Sequence, residues 1–281
     1  MKTANPSVII HMAAQPLVRE SYNKPIETFE TNVIGTANVL EAARHTENIK
    51  AIVNVTTDKC YENLEQAKAY LENDRLGGHD PYSASKACAE LISEAYRKSF
   101  FKDSHLNLAT VRGGNVIGGG DWAANRLIPD FFRALDLKKS LEIRSPNAVR
   151  PWQHVLDPIA GYLILAEKLV TDGANYAEAW NFGPNEKEAR TVSQIVEYLC
   201  NKVEGSSWNG EKKIQLHEAT LLKIDSSKAK SRLGWTHKWK LETALDKTID
   251  WYQAWRNHDD LMSMCISQID TYENEIIKND Y

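Results

Sequence analysis

Hydrophobic and polar positions in the first 110 residues alternate between two patterns, one typical of buried strands and one of amphipathic helices. Three short apolar runs are typical of strands covered on both faces of a parallel sheet. They lie at 8–12, 51–55 and 106–111. Between them, apolar residues at 26–40 recur every three or four positions, the period of an amphipathic helix. Asp80 and Pro81 are typical of an N-cap and a first helical residue, and they predict a helix to about residue 101. Strands alternating with helices in this order predict a doubly wound parallel sheet.

A glycine-rich loop at 113–121 ends the regular alternation and suggests a second, mixed lobe. Further helices are predicted at 155–169, 192–203, 226–233 and 241–255, followed by a polar C-terminal helix, and a strand is predicted at 179–182. We therefore predict a residual Rossmann-like part and a smaller, mixed second lobe. The first spans 1–112 with a return at 155–183, and the second spans 113–154 and 184–281.

Composition excludes several classes of protein. The chain has 281 residues, 42% apolar and 26% charged, with 34 Lys+Arg against 38 Asp+Glu and a net charge of −4. These values describe a globular protein with a sizeable core and exclude a collagen-like or coiled-coil chain. Because no dense basic run is present to neutralise phosphates, we expect no binding to nucleic acid.

Targeting and metal-binding signals are also missing from the sequence. No apolar stretch approaches the roughly 20 residues of a membrane span, and the first residues lack a signal-peptide pattern, so we expect a cytoplasmic protein that does not bind membranes. The four cysteines show no CxxC spacing, which favours free thiols. The string beginning at His217 and Glu218 departs from HExxH at Leu221, so no metal site is predicted.

One glycine string superficially resembles a dinucleotide-binding turn. Gly118, Gly120 and Ala123 match GxGxxA, but Asp121 and Trp122 interrupt the match, and Pro129 would interrupt the helix expected to receive the phosphate. The first predicted strand is followed by no glycine. Either a cofactor is held in another way, or the N-terminal part of such a fold is absent from these residues.

Tyr82 and Lys86 form a YxxxK pair on one face of the helix that begins at Pro81. An ammonium group beside a phenol favours the phenolate and lowers its pKa from about 10 toward the range of a base for a sugar hydroxyl. The same spacing also occurs by chance on solvated helices, so the pair needs support from its surroundings.

Thr57, Asp58 and Lys59 follow the second predicted strand, at the sheet edge where open parallel sheets bind ligands. Thr57 is positioned to hydrogen-bond the hydroxyl that Tyr82 would deprotonate. Asp58 would act as an acid if protonated, and Lys59 as a base if neutral. The alternative makes Asp58 a turn or capping residue and Lys59 a surface charge, and spacing alone does not separate the two interpretations.

Several longer strings are similar to those of the extended short-chain dehydrogenase/reductase family, and within it to the sugar-nucleotide 4,6-dehydratases. They include NVTTDKCYEN, GGHDPYS, GNVIGGGDW and RPWQHV, and the similarity runs from about Val8 to about Trp255. The resemblance implies a tightly bound NAD, CDP-glucose as substrate, and a role in deoxysugar synthesis for O-antigen-type polysaccharides. It also implies a homodimer or higher homo-oligomer, with the helices at 26–40 and 81–101 at the interface.

By this resemblance, Tyr82 removes the C4 hydroxyl proton while a hydride leaves C4, with Thr57 and Lys86 assisting. Asp58 then protonates the departing C6 hydroxyl, and the hydride returns to C6. The related dTDP-glucose enzymes have a Glu, their C5 base, where Lys59 stands. Lys59 is therefore either a base with a depressed pKa or a cation that stabilises the enolate.

The resemblance also assigns binding residues. His11, Ala13 and Ala14 would lie along the cofactor together with Tyr82 and Lys86. Asn115, Arg126 and Arg150 would bind the sugar diphosphate, with a surface salt bridge as the alternative for Arg126. Asn32 is assigned either to bracing the backbone or to touching ligand. From their spacing of one helical turn, Trp251 and Trp255 are predicted to lie in the core, with a ligand platform as the alternative.

The family would place about 70 residues before Met1, including the first strands and the glycine turn. We therefore expect part of the NAD site to be missing from these residues and the strand at 8–12 to present an unpaired edge. Two alternatives remain: a nucleotide-sugar 4-epimerase, against which the adjacent Asp58 and Lys59 argue, and an inactive fragment that serves as a binding or assembly module.

Overall fold

The computed structural model describes residues 1, 3–65, 68–185, 188–210 and 221–279, with side chains up to residue 275. The strands are β1 Val8–His11, β2 Ala51–Val55, β3 Asn107–Gly113, β4 Asn115–Ile117, β5 Leu141–Ile143, β6 Val149–Arg150, β7 Trp152–His154, β8 Ala179–Phe182, β9 Arg190–Thr191 and β10 Trp208–Gly210. The helices are α1 Val18–Asn23, α2 Pro25–Phe29, α3 Gly35–Arg44, α4 Pro81–Tyr96, α5 Leu127–Asp136, α6 Leu156–Thr171, α7 Val192–Lys202, α8 Ser227–Leu233, α9 Leu241–Arg256 and α10 Leu261–Asn279.

Four strands form a parallel sheet in the order β1-β2-β3-β8, which confirms the predicted fold class. Val8 lies opposite Ala51, and Ala51 lies opposite Asn107. Alternate residues of β2 enter separate cores: Val53 packs with side chains of α6 and β8, whereas Ile52 packs with side chains of α3. Both faces of the sheet are thus covered, as its uniformly apolar strands predicted.

The chain divides into two compact units, each with its own core. The first comprises Met1–Gly114, Ala160–Phe182 and His217–Trp235, and the second comprises Asn115–Ile159, Gly183–Leu216 and Thr236–Tyr281. The sequence analysis placed α8 in the second lobe. It instead belongs to the first unit, because Ala229 and Leu233 on its apolar side pack into the core beside β8.

The second unit is built from short sheets and helices around an aromatic core. Strands β4 and β7 pair in parallel, as do β5 and β10, whereas β6 and β9 pair antiparallel. Phe131, Phe132, Trp251 and Tyr252 lie in this core. Its helices α7 and α9 begin where the sequence predicted them, at Val192 and Leu241.

Two predicted helices contain π-helical turns that the sequence analysis missed. The helix predicted at 26–40 is a succession of α2, the π segment Glu30–Ile34 and α3. The helix predicted at 81–101 ends in the π segment Arg97–Phe101. A π turn inserts one residue without breaking the helix, so a pattern with a period of three and four passes through it unnoticed.

Pro129 does not interrupt a helix, contrary to the sequence-based argument. It is the third residue of α5, which begins at Leu127. Proline is tolerated in a first helical turn because the N–H groups there have no partner within the helix.

No helix in the described part of the chain has the combined length and apolarity needed to cross a bilayer. The string at His217 and Glu218 lies outside the described residues.

Candidate active site

The segment after β2 carries three of the predicted site residues in one tight turn. Thr57 has an extended backbone and begins a short 3₁₀ turn, Asp58–Cys60. Its Oγ1 accepts the main-chain N–H of Lys59 at 3.3 Å and donates to Asp58 Oδ1 at 3.1 Å. The threonine hydroxyl thus links the backbone of the turn to the neighbouring carboxyl group.

Asp58 is fully buried, yet half of its carboxyl group has no hydrogen-bond partner among the described residues. Its Oδ1 lies 3.5 Å from Lys59 Nζ, whereas Oδ2 is buried without a partner. Leaving a buried carboxyl oxygen unsatisfied costs free energy, and such groups cluster at functional sites. The Oδ2 atom is therefore available to hydrogen-bond a ligand. The burial argues against the interpretation of Asp58 as an ordinary surface turn residue.

Helix α4 presents Tyr82 and Lys86 as predicted. Asp80 caps it, with Oδ1 accepting the Ser83 N–H at 2.9 Å, and Pro81 is the first helical residue. The Tyr82 main-chain N–H donates to Ser21 Oγ at 3.1 Å. Both Tyr82 and Lys86 are buried, at 7% and 6% exposure, which rules out a solvated pair.

Lys86 is held against the end of β2 rather than extended into solvent. Its Nζ donates to the main-chain oxygen of Val55 at 3.1 Å. Burial lowers the pKa of Lys86 to about 8, and the nearby Glu90 carboxylate opposes this shift. With its pKa near 8, the group is still mostly an ammonium at pH 7.

The predicted cofactor-binding residues follow the carboxyl end of β1. His11 is the last residue of this strand, and its Nε2 lies 3.4 Å from Thr36 Oγ1. Burial, assisted by the charge of Lys86, lowers the pKa of His11 and favours the neutral imidazole. Ala13 is exposed and Ala14 is half-buried.

Asn32 braces the backbone of this segment, one of the two roles that the sequence left open. Its Oδ1 accepts the Gln15 N–H at 2.8 Å, and its Nδ2 donates to the Gln15 oxygen at 3.0 Å. The same Nδ2 reaches Ser85 Oγ at 2.8 Å. One buried amide therefore fixes the loop that contains Ala13 and Ala14 against α4.

The predicted diphosphate-binding residues all lie in the second unit. Asn115 begins β4, and its N–H donates to the Pro151 oxygen at 3.0 Å. Arg150 is 4% exposed, and its Nη1 donates to the Val149 oxygen at 3.0 Å. Arg126 forms a partly exposed ion pair with Asp121 at 2.9 Å, which is the alternative foreseen for it.

The glycine string after β4 serves packing within the second unit. A Cβ atom added to Gly118 would lie 2.9 Å from Val155, and one added to Gly119 would lie 2.0 Å from Trp251. Trp251 is a core residue, as predicted, whereas Trp255 is 38% exposed and packs on Trp122 with ring centroids 4.4 Å apart.

The sequence analysis missed a buried polar network next to the candidate site. Glu90 and Arg112 form an ion pair at 2.8 Å in the first unit, each with 3% exposure. Glu90 lies one helical turn after Lys86, so the i, i+4 spacing was a signal that could have found it. Arg112 carries no such local signal, because it reaches Glu90 only through the fold.

Comparison with known proteins adds evidence from outside the chain. Residues 1–248 match the sequence model of the family described as GDP-mannose 4,6 dehydratase. The chain is 47% identical over 273 residues to the CDP-glucose 4,6-dehydratase of Salmonella typhimurium, covering 95% of this chain and 76% of that protein. It is 30% identical to a trifunctional UDP-glucose 4,6-dehydratase/3,5-epimerase/reductase of Arabidopsis thaliana, covering 89% of this chain but only 36% of that protein.

The fold also matches solved structures. The dTDP-glucose 4,6-dehydratase of Bacillus anthracis, solved in complex with NAD, superposes with a TM-score of 0.72 at 27% identity. The match covers 90% of this chain and 74% of that one. Sequence and fold agree: the chain belongs to the GDP-mannose 4,6-dehydratase family of extended short-chain dehydrogenases/reductases.

Proposed function

We propose that this chain is a CDP-glucose 4,6-dehydratase, a hydro-lyase that converts CDP-glucose into CDP-4-dehydro-6-deoxy-D-glucose and water in cytoplasmic deoxysugar synthesis. The observation that carries the proposal is the 47% identity to the Salmonella enzyme of that name, over 95% of this chain. The buried residues of the first unit supply the groups that such a reaction needs: a phenol, an ammonium group, a hydroxyl and a carboxyl group.

The residues at the ends of β1 and β2 fit an NAD molecule, which the Bacillus anthracis relative contains. Ala13 and Ala14 have small side chains in a loop braced by Asn32, so a flat ligand can approach the backbone. Neutral His11 and the ammonium of Lys86 supply polar groups beside that loop. When bound, NAD supplies a temporary acceptor for the C4 hydride, which returns to C6. Tyr82 and Lys86 would hold its ring and ribose.

The protein's residues carry the proton movements of the proposed reaction. Tyr82, as phenolate stabilised by Lys86, takes the proton of the C4 hydroxyl, and Thr57 orients that hydroxyl. The C4 ketone acidifies the C5 proton. Asp58 gives its proton to the C6 hydroxyl, which leaves as water, and its Oδ2, which has no hydrogen-bond partner among the described residues, is the atom proposed to do so.

Lys59 is the proposed residue at C5. Its Nζ lies 3.5 Å from Asp58 Oδ1, beside the proposed acid. In this role it either stabilises the enolate oxygen as an ammonium or, once neutral, takes the C5 proton. We propose that Asn115, Arg126 and Arg150 bind the diphosphate from the second unit. For Arg126 this requires exchanging its ion pair with Asp121 for the ligand.

The reaction is tested by incubating the purified chain with CDP-glucose and NAD in deuterium oxide and analysing the product by mass spectrometry and NMR. A dehydratase yields a product lighter by one water with deuterium at C5. A 4-epimerase leaves the mass and the C5 proton unchanged. If the enzyme prefers the cytidine nucleotide, parallel reactions with UDP-, dTDP- and GDP-glucose should be at least about tenfold slower than the reaction with CDP-glucose.

Cofactor binding is tested separately by titrating the chain with NAD in a calorimeter. Saturable binding at micromolar concentration contradicts the alternative of an inactive assembly module. Binding without turnover of any of the four nucleotide sugars contradicts the proposed reaction.

We also propose that the chain forms a homodimer or higher homo-oligomer through the helices of the first unit. Four large apolar side chains on these helical segments are exposed, a feature of interaction surfaces. They are Ile26, Ile34, Leu91 and Phe100. Light scattering coupled to gel filtration should give at least twice the monomer mass of 31.8 kDa. A Leu91→Glu variant should shift the protein toward monomer.

A further inference from the structure

Glu90 and Arg112 form a buried ion pair in the first unit. Arg112 Nη2 lies 2.8 Å from Glu90 Oε2. Burial alone would raise the pKa of Glu90, but the charge and hydrogen bond of Arg112 outweigh it and hold that pKa below its usual range. The pair is therefore charged on both sides, and removing one partner leaves an uncompensated charge in the core.

Glu90 hydrogen-bonds Thr56, the residue immediately before the turn 57–60. Its Oε1 accepts from Thr56 Oγ1 at 2.5 Å, and its Oε2 accepts from Thr110 Oγ1 at 2.8 Å in addition to Arg112. Thr56 lies immediately before Thr57. The carboxylate thus fixes the point at which β2 passes into the turn.

Arg112 hydrogen-bonds Tyr61, the residue immediately after the same turn. Its Nη1 donates to the Tyr61 hydroxyl at 2.8 Å, and Tyr61 lies immediately after Cys60. The Tyr61 hydroxyl in turn donates to Asn181 Oδ1 on β8 at 2.7 Å. The two halves of one ion pair therefore hold the segment 57–60 from opposite ends.

The end of β2 is joined to α4 at three successive residues. Asn54 Nδ2 donates to Ser93 Oγ at 2.9 Å, the Val55 oxygen accepts from Lys86, and Thr56 donates to Glu90. This series sets the distance between the strand that leads to Thr57 and Asp58 and the helix that carries Tyr82 and Lys86.

The charge of Glu90 also acts on Lys86. The titratable groups that interact electrostatically with Lys86 are Glu90 on the same helix, Cys60 in the turn after β2 and His11 at the end of β1. Of these, Glu90 opposes the effect of burial most strongly and keeps the pKa of Lys86 near 8.

We infer that the Glu90–Arg112 pair is a positioning device for the active site, which fixes the turn 57–60 from both ends and places a carboxylate one helical turn from Lys86. Its kinetic consequences rest on the proposed function, whereas its effect on the titration of Lys86 does not. Neither residue touches the reacting atoms in this role.

The test of the charge effect is Glu90→Gln, which preserves the shape and an acceptor oxygen but removes the charge. The titration of Lys86 is followed by NMR on protein carrying ¹³C-labelled lysine, with the resonance assigned from its absence in Lys86→Met. We expect the midpoint to fall by about one pH unit. The alkaline limb of the pH–rate profile should move to lower pH by the same amount.

Glu94→Gln is the matched control, because Glu94 lies one turn further along α4 with a partly exposed side chain paired to Lys98. This variant should leave both the titration and the profile unchanged. If Glu90→Gln lowers the melting temperature but moves neither the Lys86 titration nor the alkaline limb, the pair is merely structural and the inference is wrong.

A second variant tests how the turn is held while leaving the Glu90–Arg112 ion pair in place. Tyr61→Phe removes the hydroxyl that accepts from Arg112 and donates to Asn181. It should leave the Lys86 titration unchanged and lower kcat about tenfold with little change in KM. Unchanged kcat would overturn the positioning role. If the wild-type chain itself shows no turnover while Glu90→Gln still shifts the Lys86 titration, the proposed function fails and the electrostatic part of the inference stands.

Discussion

The Thr57 hydroxyl donates to Asp58 Oδ1 at 3.1 Å, so the two side chains are joined on the carboxyl oxygen that faces the turn. The other oxygen, Oδ2, has no hydrogen-bond partner in the part of the chain that the structure describes. This arrangement allows Asp58 to be replaced by an amide without losing the internal bond, since the amide oxygen can accept from Thr57. The acid role of Asp58 can therefore be tested separately from its structural role.

Asp58→Asn should block loss of water much more than oxidation at C4, because an amide keeps the acceptor but has no carboxylic proton to donate. We expect overall turnover to fall about a hundredfold or more. Mass spectrometry of single-turnover mixtures should show CDP-glucose oxidised at C4 in place of the dehydrated product. Exposed Asp103, in a surface turn, gives the control Asp103→Asn, which should behave as wild type. Equal loss of both steps would contradict the assignment.

Tyr82→Phe should reduce turnover about a thousandfold, because the ring still fills its buried site but no oxygen remains to take the C4 proton. The melting temperature should change little. Tyr96→Phe is the control on the same helix, where the hydroxyl contacts only Glu41 among the described residues. Turnover by Tyr82→Phe at the wild-type rate would remove Tyr82 from the mechanism.

His154 should make the second unit sensitive to acid. It is 1% exposed, its Nδ1 accepts the Leu156 N–H, and burial together with the charge of Lys247 lowers its pKa to about 4. In the unfolded chain the imidazole takes up a proton with a pKa near 6.5, whereas in the native chain it does so only near 4. The free energy of unfolding therefore falls as the pH drops below about 6.5. The loss between pH 7 and 5 is about 2 kcal/mol.

The measurement is urea unfolding as a function of pH for wild type and His154→Asn, whose amide oxygen can replace Nδ1 as acceptor without titrating. The variant should show a shallower slope between pH 7 and 5, whatever its absolute stability. The exposed residue His258 provides the control His258→Asn, which should keep the wild-type slope. Identical slopes for all three proteins would show that His154 does not titrate in this way.

Gly119→Ala should destabilise the protein by about 2 kcal/mol or more, because the new methyl group would lie 2.0 Å from the Trp251 ring in a filled core. Gly210 in β10 has no atom within 4 Å of an added Cβ, and Gly210→Ala should be nearly neutral. Thermal unfolding of both variants measures the difference. Equal melting temperatures would contradict the close packing of Gly119.

Local signals predicted much of the first unit. The apolar runs located β2 and β8 at their observed boundaries, and Asp80 followed by Pro81 located the start of α4. These features depend on residues near one another in sequence, and a strand covered on both faces or a capped helix has few alternatives.

The remaining features depend on contacts between distant residues. Arg112 meets Glu90 across 22 positions, and Gly119 meets Trp251 across 132, so neither relation leaves a periodic trace. Asn32 illustrates the intermediate case: its amide suggested a polar contact, but only the fold showed that the partner is the backbone of Gln15. Supporting residues that are distant in sequence from a site's motif, such as Arg112, are therefore identified only from the folded structure.

The Asn32 amide has a consequence for how a ligand would be received beside β1. Since it satisfies both polar groups of the Gln15 backbone, the loop acquires its shape during folding and not on encounter. A molecule lying along Ala13 and Ala14 then loses its own freedom of motion but demands little further ordering of the protein, and rigid receptors of this kind retain more of their contact energy as affinity. We therefore expect a ligand that lies along this loop to bind tightly and to dissociate slowly.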